Sequence, residues 1–130
     1  MASGDAGARK RRRLSRSGEF DRVYREGSSY ANRFLVAYSF PRSEEEEEAN
    51  ELRLGVSVGR KVGGAVERNR IKRALREAFW SLEGELPAGH DFVLVARPDI
   101  AALWEREKAD GVRTALREAL SATSEGDRST

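Results

Sequence analysis

The residue types best suited to chemistry in this 130-residue sequence are crowded into one short stretch. Arg60, Lys61, Arg68, Arg70, Lys72, Arg73 and Arg76 are seven basic residues set against one acid, Glu67. On a helix advancing about 100° per residue, Arg68, Asn69, Lys72, Arg73 and Arg76 share an arc of about 140°. Most apolar residues of the same stretch (Ile71, Ala74, Leu75, Ala78, Leu82) fall outside that arc, and Phe79 alone projects between Arg68 and Lys72. Arg68, Lys72 and Arg76 stand at i, i+4 and i+8, a row of like charges that repels itself mildly unless an anionic partner offsets it. Each guanidinium can grip a phosphate through two parallel donors. The amide of Asn69 suits a base edge or a 2′-hydroxyl. Nucleic acid is the partner this pattern favours. A plain solvated helix, a helix lying on an anionic membrane, or one docking in a calmodulin-like groove shares the same amphipathic spacing.

The charge is segregated along the whole chain. The formal net charge is +2, yet Arg9 to Arg16 holds six basic residues in eight, while five consecutive glutamates occupy Glu44 to Glu48. Clustered cations steer polyanions through local potential, whatever the net sum. Other chemistries are poorly supplied. There is no cysteine, which excludes disulfides and thiol catalysis. The single histidine, His90, leaves no histidine cluster for zinc and no conventional triad. The acids sit in an expected loop or beside basic residues, unlike the converging carboxylates of a two-metal nuclease. The apolar runs Phe34 to Tyr38 and Phe92 to Ala96 are too short to span a bilayer. The basic N-terminus lacks the apolar core of a secretory signal, so a soluble cytoplasmic protein is expected.

The surrounding elements must position these residues. The length suits one domain, expected over residues 14–122, with a disordered basic tail at 1–13 and a disordered tail at 123–130. Ser17 suits the N-cap of a first helix that stops at Gly27, with Phe20, Val23 and Tyr24 on one face. Ser29 to Phe40 reads as one strand, with Phe34, Val36, Tyr38 and Phe40 on one face and Leu35, Ala37 and Ser39 on the other. Pro41 to Asn50 is a solvated loop. Glu51 to Val58 alternates as a half-buried strand, expected to pair with the preceding one as a hairpin. A basic turn, Gly59 to Gly64, leads into the long helix Ala65 to Leu82. After a break at Pro87 and Gly89, Phe92 to Ala96 reads as a strand buried on both faces. A last helix, from Trp104 or Lys108 to Ala122, buries Val112, Ala115, Leu116, Ala119 and Leu120. The order predicts an α+β fold: a two-layer α/β sandwich in which helices cover a small mixed sheet. The strands flanking the long helix can form a parallel crossover unit.

The run from Gly55 to Phe79, with Arg68-Asn69-Arg70 inside a helix that follows a strand, resembles the hallmark stretch of the bacterial ribonuclease P protein family. The resemblance extends to Arg13-Leu14, Phe20 and Tyr24, to Ala31-Asn32-Arg33 and Tyr38, and to Asp91 through Arg97, covering about residues 11 to 120. Arg60 stands where the family usually has lysine, and Trp80 where a basic residue is common. The resemblance implies a ribosomal-protein-like RNA-binding fold with a left-handed βαβ crossover, a hand that strand and helix twist disfavour. It implies two partners: a catalytic RNA, met by Arg60, Lys61, Arg68, Asn69, Arg70, Lys72, Arg73 and Arg76, and the 5′ leader of precursor tRNA, met in a cleft by Phe20, Tyr24, Tyr38 and Arg33. Unpaired bases stack on such rings with little demand on sequence. It also implies an endoribonuclease whose catalysis belongs to the RNA subunit, with Mg²⁺ on that RNA, no cofactor on the protein, and neither membrane nor DNA as partner. A ribosomal protein or RNA chaperone could carry the same basic helix. A DNA-binding regulator fits less well, because a strand and not a second helix precedes the basic helix.

Overall fold

Five strands, β1 (Arg11–Arg13), β2 (Ser28–Ala31), β3 (Leu35–Pro41), β4 (Leu52–Ser57) and β5 (His90–Ala96), form one mixed sheet in the order β1-β4-β5-β3-β2. Three helices, α1 (Ser17–Glu26), α2 (Ala65–Ser81) and α3 (Ile100–Ser129), complete the computed structural model, with a short 3₁₀ turn at Glu83–Glu85. The structure describes residues 11–13, 17–41, 52–86 and 89–129. Residues 1–10 of the tail expected at 1–13, the glutamate run Glu44 to Glu48 and the break at Pro87 lie outside the described residues.

The most apolar run takes the centre of the sheet. β5 lies parallel to β4, with Leu54 opposite Phe92 and Val56 opposite Leu94. It lies antiparallel to β3, with Ala37 opposite Leu94 and Tyr38 opposite Val93. A strand between two neighbours with helices on both faces must be apolar on both faces, and Phe92, Val93 and Leu94 are almost completely buried. Its two sets of side chains feed two cores. Phe92, Leu94 and Ala96 join Leu35, Ala37, Leu52, Leu54 and Val56 beneath α2 and α3. Val93 and Val95 face the other way and meet Val23, Phe20, Tyr38 and Phe40 beneath α1. The α2–α3 layer on the sheet is the expected sandwich, and α1 adds a partial cover on the opposite face. Since β4 and β5 are parallel neighbours joined through α2, the crossover unit is present.

Four expectations need correction. Ser29 to Phe40 is an antiparallel hairpin and not one strand: Ser29 pairs with Tyr38 and Ala31 with Val36. The turn between them is built by Asn32, whose Oδ1 accepts from the amides of Phe34 (2.9 Å) and Leu35 (3.1 Å). Its Nδ2 donates to the carbonyl of Ala115 in α3 at 2.9 Å, which ties the turn to the last helix. Strand propensity alone does not reveal such an Asx turn. The expected hairpin of β3 with β4 is absent, because β5 lies between them. Alternation shows which face of a strand is buried but not which strand lies beside it. Arg11–Arg13, placed in a disordered tail, is a parallel edge strand on β4; a short, strongly basic strand suits an edge that must not recruit another chain.

The last helix starts at Ile100, earlier than the expected Trp104 or Lys108, and runs to Ser129, past the boundary drawn at 123. No proline follows Pro98, so the sequence offers no strong breaker there. The helix is kinked at Lys108, whose φ of 52° and ψ of −138° are not helical. Val112, Ala115, Leu116, Ala119 and Leu120 are buried beyond the kink, as their spacing requires. No helix among the described residues is long and apolar enough to cross a membrane.

Candidate nucleic-acid interface

α2 buries Ile71, Ala74, Leu75, Ala78 and Phe79 against α3 and β4. Phe79, the residue that blurred the two faces, is fully buried; its ring meets Phe92 at 5.3 Å and Trp80 at 5.0 Å between centroids. The helix begins after Gly64, whose carbonyl accepts from the Arg68 amide at 2.9 Å and which offers no side-chain cap. In front of it, the Val62 amide donates to the Gly59 carbonyl at 3.1 Å. That tight turn leaves Arg60 and Lys61 exposed at its tip.

The rest of the helix surface is mostly charged and polar, with Val66 exposed near its start and Glu67 and Glu77 among the cations. Asn69, Arg70 and Arg73 are exposed, while Arg68, Lys72 and Arg76 are half-buried along the border with the apolar face. Their stems cover apolar surface while the charged heads reach outward. The Nε of Arg68 is buried and has no hydrogen-bond partner among the described residues. Elsewhere several arginines are paired with acids: Arg53 and Arg22 with Asp91, Arg33 with Asp99, Arg106 with Glu107, Arg113 with Asp110 and Arg117 with Glu85, while Arg25 and Arg97 donate to the backbone carbonyls of Asp21 and Asn32. Among the described residues none of Arg60, Lys61, Arg68, Arg70, Lys72 and Arg73 has such a partner. The structure therefore groups six cations without an acid partner among the described residues on one helix and the turn before it, with the field expected of a polyanion site.

A second group forms on the other face of the sheet. Phe20 and Tyr24 of α1 have ring centroids 6.2 Å apart, and Tyr24 meets Tyr38 of β3 edge-on at 4.9 Å. Val23 lies beneath them, fully buried, while Tyr24 is 39% exposed. Burial raises the Tyr24 pKa above the usual phenol value, helped by Tyr38 and Asp21. Tyr24 thus remains a neutral donor at physiological pH. Arg33, grouped with these rings from sequence, is not brought to them. It stands at the β2–β3 turn, where its Nε donates to Asp99 at 3.0 Å and its guanidinium lies 5.9 Å from the Phe34 ring centre. Strand rise alone separates Leu35, beyond that turn, from Tyr38 by about 10 Å.

Sequence patterns missed two features. One is Asn32 as the latch of the hairpin. The other is a buried ion cluster: Asp91, wholly inaccessible, accepts from Arg53 Nε at 2.7 Å and Nη2 at 3.3 Å, with Arg22 Nη2 at 3.5 Å. The available signal was an arginine on the face of β4 opposite Leu52 and Leu54, and an aspartate opening an apolar strand; the parallel register puts the two opposite each other.

A small α+β protein with an uncompensated cationic helix on one face of its sheet and clustered aromatic rings on the other belongs to the class of RNA-binding proteins. The family model of Ribonuclease P matches residues 8–120, and the chain belongs to that family. It is 40% identical over 111 residues to the ribonuclease P protein component of Shouchella clausii, covering 85% of this chain and 88% of the relative. It is also 40% identical over 99 residues to that of Bacillus cereus strain B4264, covering 76% and 83%. Among solved structures, the Staphylococcus aureus RNase P protein aligns with a TM-score of 0.72 at 32% identity, covering 85% of this chain and 94% of that one. The Thermotoga maritima RNase P protein aligns with a TM-score of 0.70 at 32% identity, covering 82% and 92%.

Proposed function

We infer that this chain is the protein subunit of ribonuclease P, binding the catalytic RNA and the 5′ leader of precursor tRNA to assist endonucleolytic removal of that leader. The observation that carries this is the set of cations without an acid partner among the described residues on α2 and its preceding turn, Arg60, Lys61, Arg68, Arg70, Lys72 and Arg73, while Arg22, Arg33, Arg53, Arg106, Arg113 and Arg117 are paired with acids. Arg60, Lys61, Arg68, Asn69, Arg70, Lys72, Arg73 and Arg76 form the surface for the RNA subunit. Phosphate contacts there position the RNA and screen its self-repulsion. Phe20, Tyr24 and Tyr38 form the platform for unpaired leader bases, with stacking that tolerates the many leaders of different precursors.

In this proposal the catalytic step belongs to the RNA subunit, which holds the Mg²⁺ that activates water for phosphodiester hydrolysis. The protein contributes affinity and orientation and no reacting side chain; its best-placed acids, Asp91 and Asp99, are engaged by arginines. The site of action is the cytoplasm, where precursor tRNA is made in bacteria. The test is reconstitution with the RNase P RNA of the same host. The expected result is leader cleavage at Mg²⁺ concentrations where the RNA alone is slow, with no cleavage by protein alone. No gain in cleavage on adding the protein would overturn the assignment in favour of a general RNA-binding role.

A further inference from the structure

The position of α1 over the sheet decides where Phe20 and Tyr24 stand relative to Tyr38. Three contacts set it. At its C-terminal end, a Cβ added to Gly27 would lie 2.4 Å from the Ser39 carbonyl oxygen and 2.6 Å from that of Val23, so the chain is pressed onto β3 there. At its centre, Val23 is buried among Tyr38, Phe40, Val93 and Val95. At about 100° per residue, Phe20 and Tyr24 fall on one side of Val23 and Arg22 on the other. The third contact is made by Arg22. Its Nη2 lies 3.5 Å from Asp91 Oδ2, and its guanidinium carbon sits 4.8 Å from the centre of the Phe40 ring.

The asymmetry of the ion cluster is informative. Arg53 and Asp91 are opposite each other on neighbouring strands and bond through two donors, so their pair is built within the sheet and needs nothing from α1. Arg22 is the added cation. Its Nε is buried without a hydrogen-bond partner among the described residues, a cost that its contacts with Asp91 and the Phe40 ring must offset. Its attachment to a fixed carboxylate and a fixed ring, on the flank opposite Phe20 and Tyr24, restrains rotation of α1 about its own axis. We propose that Arg22, anchored by the Asp91–Arg53 pair and the Phe40 ring, is the positioning residue that aligns Phe20 and Tyr24 with Tyr38 to receive the single-stranded leader. This rests on the leader platform inferred above.

The experiment uses holoenzyme reconstituted with the host RNase P RNA. Arg22→Met keeps the apolar stem and leaves Arg53–Asp91 intact, so the fold survives. Hydrogen exchange of the α1 amides should accelerate roughly tenfold while exchange in α2 and β5 stays unchanged. Affinity for precursor tRNA should fall roughly fivefold, with mature tRNA and the saturated single-turnover cleavage rate unaffected. Arg22→Lys, which keeps a cation for Asp91 and for the Phe40 ring, should restore most of that loss. In the Tyr24→Ala background, Arg22→Met should cost little more, since both act through one platform. Unchanged α1 exchange, or faster exchange with undiminished precursor affinity, overturns the proposal; so does an equal loss for mature tRNA or a fully additive double variant. Should Tyr24→Ala alone leave precursor affinity intact, the leader platform itself falls and the positioning role with it. A loss in Tyr24→Ala without one in Arg22→Met removes the positioning role only.

Discussion

Replacing Arg70 and Arg73 with alanine should weaken binding of the RNase P RNA in a way that depends on salt. Both side chains are exposed, and neither is paired with an acid among the described residues. Alanine is the strongest helix former, so α2 should not be weakened. Each cation that neutralises a phosphate contributes about 0.7 to 0.9 to the slope of log affinity against log salt. Six uncompensated cations (Arg60, Lys61, Arg68, Arg70, Lys72, Arg73) therefore give a slope of about −4 to −5 if all are engaged. The double substitution should bring it to about −3 to −4, and the deficit relative to the unaltered protein should shrink by about sevenfold to twelvefold between 50 and 200 mM salt. Filter binding or fluorescence anisotropy at four salt concentrations measures this. Arg113→Ala is the internal control, because Arg113 already pairs with Asp110 at 3.2 Å, and its slope should equal that of the unaltered protein. If Arg70 and Arg73 can be removed with no change of slope while circular dichroism shows α2 intact, α2 is not the phosphate-contacting surface.

Tyr38→Ala should reduce affinity for precursor tRNA by about 1–3 kcal/mol and leave mature tRNA unaffected, because only the precursor offers a leader base to stack; equal losses in a competition assay would exclude the platform. Asp91→Asn should destabilise the fold by about 3–5 kcal/mol in urea denaturation, since it removes the carboxylate charge facing the buried Arg53; a loss below about 1 kcal/mol would show that the cluster contributes little to the fold. Because burial raises the Tyr24 pKa, the folded state holds the phenolic proton more tightly than the unfolded chain. Stability should therefore fall as pH rises above the ordinary tyrosine value, and Tyr24→Phe should flatten that part of the profile; an identical alkaline profile in the two proteins would contradict it.

The parts of this structure that could be read from sequence are those governed by periodicity. The spacing of Ile71, Ala74, Leu75 and Ala78 predicts both the helix and its buried face, and the continuous run Phe92 to Ala96 predicts a strand covered on both sides. Neighbour relations were not legible, because burial alternation in β3 and β4 is satisfied equally well whether they pair with each other or with β5. The turn at Asn32 was hidden for a related reason: its amide competes with strand pairing through local hydrogen bonds, while the flanking residues all favour extended backbone. Arg53 illustrates a third limit. An arginine on the polar side of an alternating strand is normally solvated, and only the parallel register with Asp91 takes it out of water.

The cationic helix and the aromatic group proposed as the two binding surfaces share β5 as their common support, yet they stand on opposite faces of the sheet. Leu94 and Phe92 pack under α2, and Val93 and Val95 pack under α1, so successive residues of one strand serve the cationic helix and the aromatic platform in turn. A loop carrying either site would let it drift with each RNA it met. A central strand bonded on both sides cannot shift without breaking two ladders. The catalytic RNA and the leader would then be held at a fixed separation set by the sheet and the α2 layer packed on it. Under the proposed function, that separation is what a subunit without reacting groups would contribute to a cleavage carried out by its partner: it would place the leader strand at a constant distance from an RNA surface bound by α2, whatever the leader's sequence.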